Sequence, residues 1–230
     1  MRHNLRINNQ LSIKILHEAA RDFRYLLNRG YPRKTSLELV GNRYGLTFDE
    51  RHLLHRGVFS NPDSRLRREK KIPLQEVRNK DLVLDGHNVV MTIEAGLSGR
   101  PLILGDDGFI RDISGLSGRF KTTEMTEKVI QFITHAIKNI KPRQSLFLFD
   151  APISMSGRLA RKVRLLLKRE NLPGDAMAVR VPEKILIGFP GVIATSDTAI
   201  IDQSKMVLDL AGYILKKRGI LKTLLRLRKR

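Results

Sequence analysis

The sequence predicts a mixed α/β protein: a mostly parallel sheet with helices on both faces, preceded by a short all-α module. Three observations carry this. Before residue 75 the apolar residues recur only at helical spacing. After it, short apolar runs alternate with helical segments. Three of those runs lead into an aspartate.

Leu11 to Asn28 places Leu11, Ile15, Ala19, Phe23 and Leu26-Leu27 on one helical face, ended by Gly30 and Pro32. Ser36 to Tyr44 and Phe48 to Arg56 predict two shorter helices. The first stops at Gly45; the second starts at Thr47, with Asp49 and Glu50 in its first turn. The stretch "LVGNRYGLTFDERHLL" therefore reads as helix, tight turn, helix. A DNA-reading unit is one interpretation, but Arg51 falls where such units bury an apolar residue, which favours a helical packing or RNA-binding module. "NPDSRLRREKK", from Asn61 to Lys71, has no apolar periodicity and reads as a basic linker, with the domain boundary near Pro73.

Beyond it, Leu82-Val83-Leu84 predicts a short buried strand. Leu102 to Leu104, Gly105-Asp106-Asp107-Gly108 and Phe109-Ile110 predict a hairpin. Met125 to Ile137 predicts a helix ending before Pro142, Ser145 to Phe149 an apolar strand, and Arg158 to Arg169 a strongly basic helix. Ala176 to Val181, Ile185 to Ile187 and Val192 to Ala194 are strand candidates, and Met206 to Lys217 is the last helix. The units expected are residues 1–74 (helical module and linker), 75–220 (α/β domain) and 221–230 (a basic tail without order of its own).

The chain has 230 residues, of which 41% are hydrophobic, enough to bury a core. It has no cysteine, which excludes disulfides, thiolate metal sites and cysteine nucleophiles. No apolar run approaches the roughly 18 residues of a membrane span, so a cytoplasmic protein with no membrane partner is expected. With 43 Lys+Arg against 23 Asp+Glu, the formal charge is +20. Such a field attracts polyanions, of which nucleic acid is the commonest inside cells. There is no P-loop, no GxGxxG after a strand and no GxSxG elbow, so nucleotide-cofactor and serine-hydrolase chemistry are disfavoured.

The strand ends read "LVLD" to Asp85, "LFLFD" to Asp150 and "VIATSD" to Asp197. In a parallel sheet the carboxyl ends of neighbouring strands lie together and ligands bind outside them. Carboxylates crowded there repel one another unless a hard cation neutralises them, and an all-oxygen donor set suits Mg²⁺ or Mn²⁺. Asp202, five residues beyond Asp197, is a further candidate ligand. The alternative is that each aspartate caps the turn that follows it.

In their order and spacing, "VLDGHNVV", "LFDAPISMSGRLA" and "ATSDTAIID" resemble a PIN-like nuclease domain, a Rossmann-like fold, of the branch related to NYN ribonucleases. The whole chain resembles a mainly archaeal family of uncharacterised proteins in which a helical module carrying "LVGNRYGLT" precedes that domain. The resemblance implies RNA cleavage with Mg²⁺ or Mn²⁺, with Asp85, Asp150 and Asp197 as ligands and Asp202 as a fourth. It implies that Asn88 orients Asp85 or a metal-bound water. A PIN domain draws a further acid from the helix after the first strand; here Glu94, Asp107, Asp112 and Glu124 compete for that role.

Phosphate-binding candidates follow. "GLSGR" occurs at Gly96 to Arg100 and again at Gly115 to Arg119, offering Arg100 and Arg119. "SMSGRLARK" offers Ser154 or Ser156 as a helix cap beside Asp150, with Arg158, Arg161 and Lys162 beyond it. His87 stands next to the acids; His52 and His55 lie three apart with no acid to complete a zinc set. Aromatic residues are 6%, so backbone contacts are expected to outweigh base stacking. The function expected is a metal-dependent endoribonuclease acting on structured RNA, ribosomal or transfer RNA included. The alternatives are a non-catalytic RNA- or ribosome-binding factor and a DNA-binding regulator. A homodimer is compatible with each.

Overall fold

The structure, a computed structural model, describes residues 10–113, 123–221 and 224–228. Four helices open it: α1 (Gln10–Asn28), α2 (Arg33–Arg43), α3 (Phe48–Gly57) and α4 (Asn61–Lys70). The apolar spacing of α1 buries Leu16, Ala19, Ala20 and Phe23 against Val40, Leu53 and Leu54. Gly45, at φ +58°, makes the turn into α3. There Thr47 Oγ1 accepts from Glu50 N at 3.3 Å and the Glu50 carboxylate accepts from Thr47 N at 2.8 Å, a reciprocal cap.

The basic stretch from Asn61 is helix rather than linker. Ser60 caps α4, accepting from Asp63 N at 3.2 Å, and Pro62 stands in its first turn. Its buried face consists of Ser64 and Arg67 instead of apolar side chains, which is why hydrophobic periodicity misses it. The Arg67 guanidinium bonds both oxygens of Asp202, at 2.6 and 2.8 Å, and lies over the Phe59 ring.

The remaining elements are β1 (Asp81–Asp85), α5 (Gly86–Leu97), β2 (Leu102–Leu104), β3 (Ile110–Asp112), α6 (Glu124–Ile140), β4 (Gln144–Asp150), α7 (Ser156–Arg169), β5 (Gly174–Val179), α8 (Glu183–Leu186), β6 (Val192–Ala194), α9 (Thr198–Gln203), β7 (Val207–Leu208), α10 (Leu210–Lys217) and β8 (Leu224–Arg226). Five strands form a parallel sheet in the order β5-β4-β1-β6-β7. Side chains alternate across it. Leu82, Leu84, Phe147 and Phe149 pack with the apolar faces of α5, α6, α7 and α10, while Val83, Leu148 and Ile193 pack with Leu186 and Ile200 of α8 and α9. Two expectations change here. Ile185 to Ile187 belongs to a helical turn, three apolar residues being too few to separate strand from helix. Val207 is a short edge strand, so the last helix begins only at Leu210.

A second sheet, β3-β2-β8, extends the hairpin by a parallel strand from the C-terminal residues. The basic tail is therefore partly structured. Leu225 and Leu227 join Ile103 and Ile113 in the core of the helical region, tying both ends of the chain together. No described helix is long and apolar enough to cross a membrane.

Leu227 is buried, so Leu227→Ala should cost about 2–5 kcal/mol in denaturant unfolding. A change below about 0.5 kcal/mol is the behaviour of a free tail and would contradict the β8 packing.

Candidate functional site

Strand register brings the three aspartates to one edge. Asp85 ends β1, the middle strand, opposite Leu148 of β4; Asp150 follows two residues later on that neighbour. On the other side Leu84 pairs with Ala194, and the chain leaves β6 through Thr195 and Ser196 to Asp197. The carboxyl ends of β4, β1 and β6 thus frame one crevice.

Each acid has different partners. Asp85 is only 9% exposed and accepts a hydrogen bond from the Thr195 hydroxyl at 2.8 Å through Oδ2. Burial pushes its pKa up to about 7; the Thr195 hydroxyl opposes this, and the charges of Asp197 and Asp150 add to it. Asp150 Oδ2 lies 2.9 Å from Nδ1 of the buried His87 and the Asp150 N–H 3.0 Å from the same nitrogen, which donates to the carboxylate when protonated and accepts from the amide when not. His87 accordingly holds Asp150 through its carboxylate or through its amide, according to the protonation of Nδ1. Asp197 Oδ1 accepts from Ala199 N and Ile200 N at 2.8 and 3.3 Å, capping α9. So the turn-capping alternative holds for Asp197, whereas the Asp85 carboxylate has no well-formed cap bond to the helix it precedes, only the weaker pull of the Asn88 amide, which lowers its pKa slightly against burial.

The turn carrying Asp197 is clamped from several directions. Asn88 Oδ1 accepts from Ser196 N at 2.9 Å and Ser196 Oγ at 3.0 Å; its side chain orients this turn rather than Asp85. Asp197 N donates to Thr195 Oγ1 at 3.1 Å. From the far side Arg111 Nε donates to Ser196 O at 2.7 Å. Arg111 is 1% exposed and pairs through both terminal nitrogens, at 2.8 and 2.7 Å, with the fully buried Asp107. An ion pair this deep has to be satisfied on every side, and the Ser196 carbonyl completes it. Sequence reading missed Thr195, Ser196 and Arg111, since nothing local marks a bond spanning 85 residues.

Other candidates are placed elsewhere. Asp202 is held by Arg67, so its carboxylate is already committed. Glu94 accepts from Thr126 at 2.6 Å, Asp107 pairs with Arg111, and Asp112 meets Arg56 and Thr92; none of them joins the crevice as an extra acid. Neither serine caps α7: Met155, at φ +69°, holds the cap position, and Ser156 Oγ donates instead to the carbonyls of Asp150 and Ile153. Arg158 and Arg161 are exposed on α7, whose first turn follows Asp150, and Lys162 pairs with Glu127. Arg100 follows the left-handed Gly99 in the turn after α5; Gly115 to Arg119 lies outside the described residues. Among the described residues, no three His, Asp or Glu side chains stand together as a ready metal cage. The oxygen donors of Asp85, Asp150 and Asp197 nonetheless suit a hard divalent ion, because Asp85 is buried beside two like charges and has a hydroxyl, not a cation, as its hydrogen-bonding side chain.

A model described as "Domain of unknown function (DUF5616)" matches residues 74–213, and one described as "Protein of unknown function (DUF434)" matches residues 15–70. The chain is 32% identical over 208 residues to "Uncharacterized protein MJ0935" of Methanocaldococcus jannaschii, covering 88% of this chain and 99% of that one. No solved structure matches.

The raised pKa fixes a stability trend. Folded Asp85 keeps its proton to about pH 7, whereas the unfolded side chain loses it near pH 4. The unfolded state therefore binds fewer protons between those values, and stability falls as pH rises through the window. In EDTA, Asp85→Asn should raise stability at pH 8 by on the order of a few kcal/mol, with the gain vanishing at pH 4. Thermal unfolding curves that coincide at pH 8 would contradict the buried charge.

Proposed function

The chain belongs to the DUF5616 family, and we propose that this member binds RNA and cleaves its phosphodiester backbone as a PIN-like, metal-dependent endoribonuclease. The observation that carries the reading is the strand-end arrangement. Asp85, Asp150 and Asp197 converge in a chain of net charge +20, and the innermost carboxylate is buried beside the other two charges. Acidic side chains in a polyanion-binding protein repel the substrate they must meet, unless an ion bridges the two.

Asp85, Asp150 and Asp197 would hold Mg²⁺ or Mn²⁺, which when bound would supply an activated water and stabilise the leaving oxygen. The chain's own residues do the rest. His87 keeps Asp150 in place, and Thr195 donates to Asp85 while its oxygen accepts from Asp197 N. Asn88 and Arg111 hold the Ser196–Asp197 turn from opposite sides. Arg158 and Arg161, exposed on the helix that starts beyond Asp150, would receive phosphates.

A second reading, a non-catalytic RNA- or ribosome-binding factor, is favoured by the pairing of Asp202 with Arg67 and by the lack of a ready cage among the described residues. One experiment separates them. End-labelled RNA incubated with Mn²⁺ should be cut by the wild type and about 100-fold more slowly by Asp150→Asn. Equal cutting by both proteins would overturn the site. No cutting by either, with salt-sensitive binding that persists in EDTA, would establish the binding factor.

A further inference from the structure

Helix α3 carries a feature that the acid crevice does not use. Phe48, His52 and Arg56 follow one another at intervals of four, so they share one stripe of the helix over about 12 Å. Phe48 stands at its outer end and is 69% exposed. Its ring lies parallel to that of His52, with centroids 6.4 Å apart and planes 1° apart, and His55 continues the ladder at 6.3 Å. A scattered exposed apolar residue needs no explanation; one aligned with two imidazoles along a helix face does.

The inner end of the stripe is tied to the second sheet. Arg56 Nε donates to the Asp112 carbonyl at 3.3 Å, and its guanidinium lies 3.8 Å from the Asp112 carboxylate. Asp112 also accepts from the Thr92 hydroxyl at 3.5 Å, and Thr92 lies one turn along α5 from Asn88. Arg56 is close enough to Asp197 to feel its charge. Both imidazoles are shifted toward the neutral form: burial lowers His52 and Arg56 lowers it further, against the opposing charges of Asp112 and Asp49. Burial, with Arg33, His52 and Arg56 behind it, brings His55 down to about 4. Near neutral pH the stripe is therefore three uncharged rings followed by a cation that is paired with Asp112 and feels the charge of Asp197.

We propose that Phe48, His52, His55 and Arg56 form a track on which the bases of a single-stranded RNA segment stack as its backbone runs toward Asp85, Asp150 and Asp197. The endpoint of the track rests on the nuclease reading; the stacking itself does not. Uncharged rings in a row offer nothing to a phosphate but match the faces of unpaired bases, which a duplex keeps inside its own stack. The +20 charge supplies the complementary attraction to the backbone. About 12 Å accommodates three or four stacking steps of about 3.4 Å. The whole-chain aromatic fraction counts only Phe48 on this helix; the other two rings of the row are the imidazoles of His52 and His55.

The test uses the full-length chain in EDTA, where cleavage plays no part. Fluorescence anisotropy of a labelled single-stranded RNA oligonucleotide and of a duplex of equal length would be measured for the wild type, Phe48→Ala and Phe48→Trp. Phe48→Ala should weaken single-strand binding by about 5- to 100-fold, Phe48→Trp should restore it, and duplex affinity should not move. Because Phe48 is exposed, unchanged melting curves are expected for both variants. Single-strand affinity equal to wild type in Phe48→Ala would overturn the track. An equal loss on the duplex would also overturn it, showing that α3 reads double helices. Loss of single-strand binding in a protein that cuts no RNA would keep the track and remove only the nuclease.

Discussion

A carboxylate at the end of the central strand, buried and hydrogen-bonded by a hydroxyl, is the constraint around which the crevice is built. Asp85 cannot retreat to solvent because β4 and β6 flank its strand on both sides, and the protein offers it Thr195 instead of a lysine or arginine. In water its charge would be stable at neutral pH; here burial and two like charges favour the protonated form until about pH 7.

The crevice also depends on residues far from it. Arg111 and Asp107 belong to the small second sheet, yet the Arg111 guanidinium reaches the Ser196 carbonyl, and Asn88 takes the Ser196 amide from the other side. The same buried network continues into the helical region. Arg67 approaches Asp107 at 3.6 Å, and Arg24 pairs with Asp106 at 2.7 Å. The guanidinium groups of Arg33, Arg67 and Arg111 all lie over the Phe59 ring. Such pairs add little net stability compared with an apolar core, but each charge demands its partner, so they fix one arrangement of helices, second sheet and site. From the helical region, Arg56 of α3 pairs with Asp112 and feels the charge of Asp197.

What the residues announced in advance was whatever depends on neighbours in sequence. The capped start of α3 at Thr47, the apolar faces of α1 and α6 and the acids closing β1 and β4 are local patterns, and each is where it was expected. What stayed hidden depends on partners far along the chain. Helix α4 buries an arginine whose counterion, Asp202, lies 135 residues away, so its pattern looks like a polar linker. Strand β8 has little character of its own and exists by pairing with β2, more than 100 residues earlier. Asp202 read as a ligand because it follows Asp197 closely, but α9 carries it toward Arg67 instead. Asn88 was legible as a site residue while its partner was not, for Ser196 is brought to it only by the register of β1 and β6.

Calorimetric titration of the metal-free protein with Mn²⁺ at pH 6.5, in two buffers of different protonation enthalpy, tests the central claim most directly. If the three acids form one cation site, binding is stoichiometric and releases close to one proton, drawn from Asp85, and Asp85→Asn removes both the binding and the release. Mn²⁺ heats that are absent, or that persist unchanged in that variant, would contradict the account and leave a cationic protein whose three acids hold no ion in common.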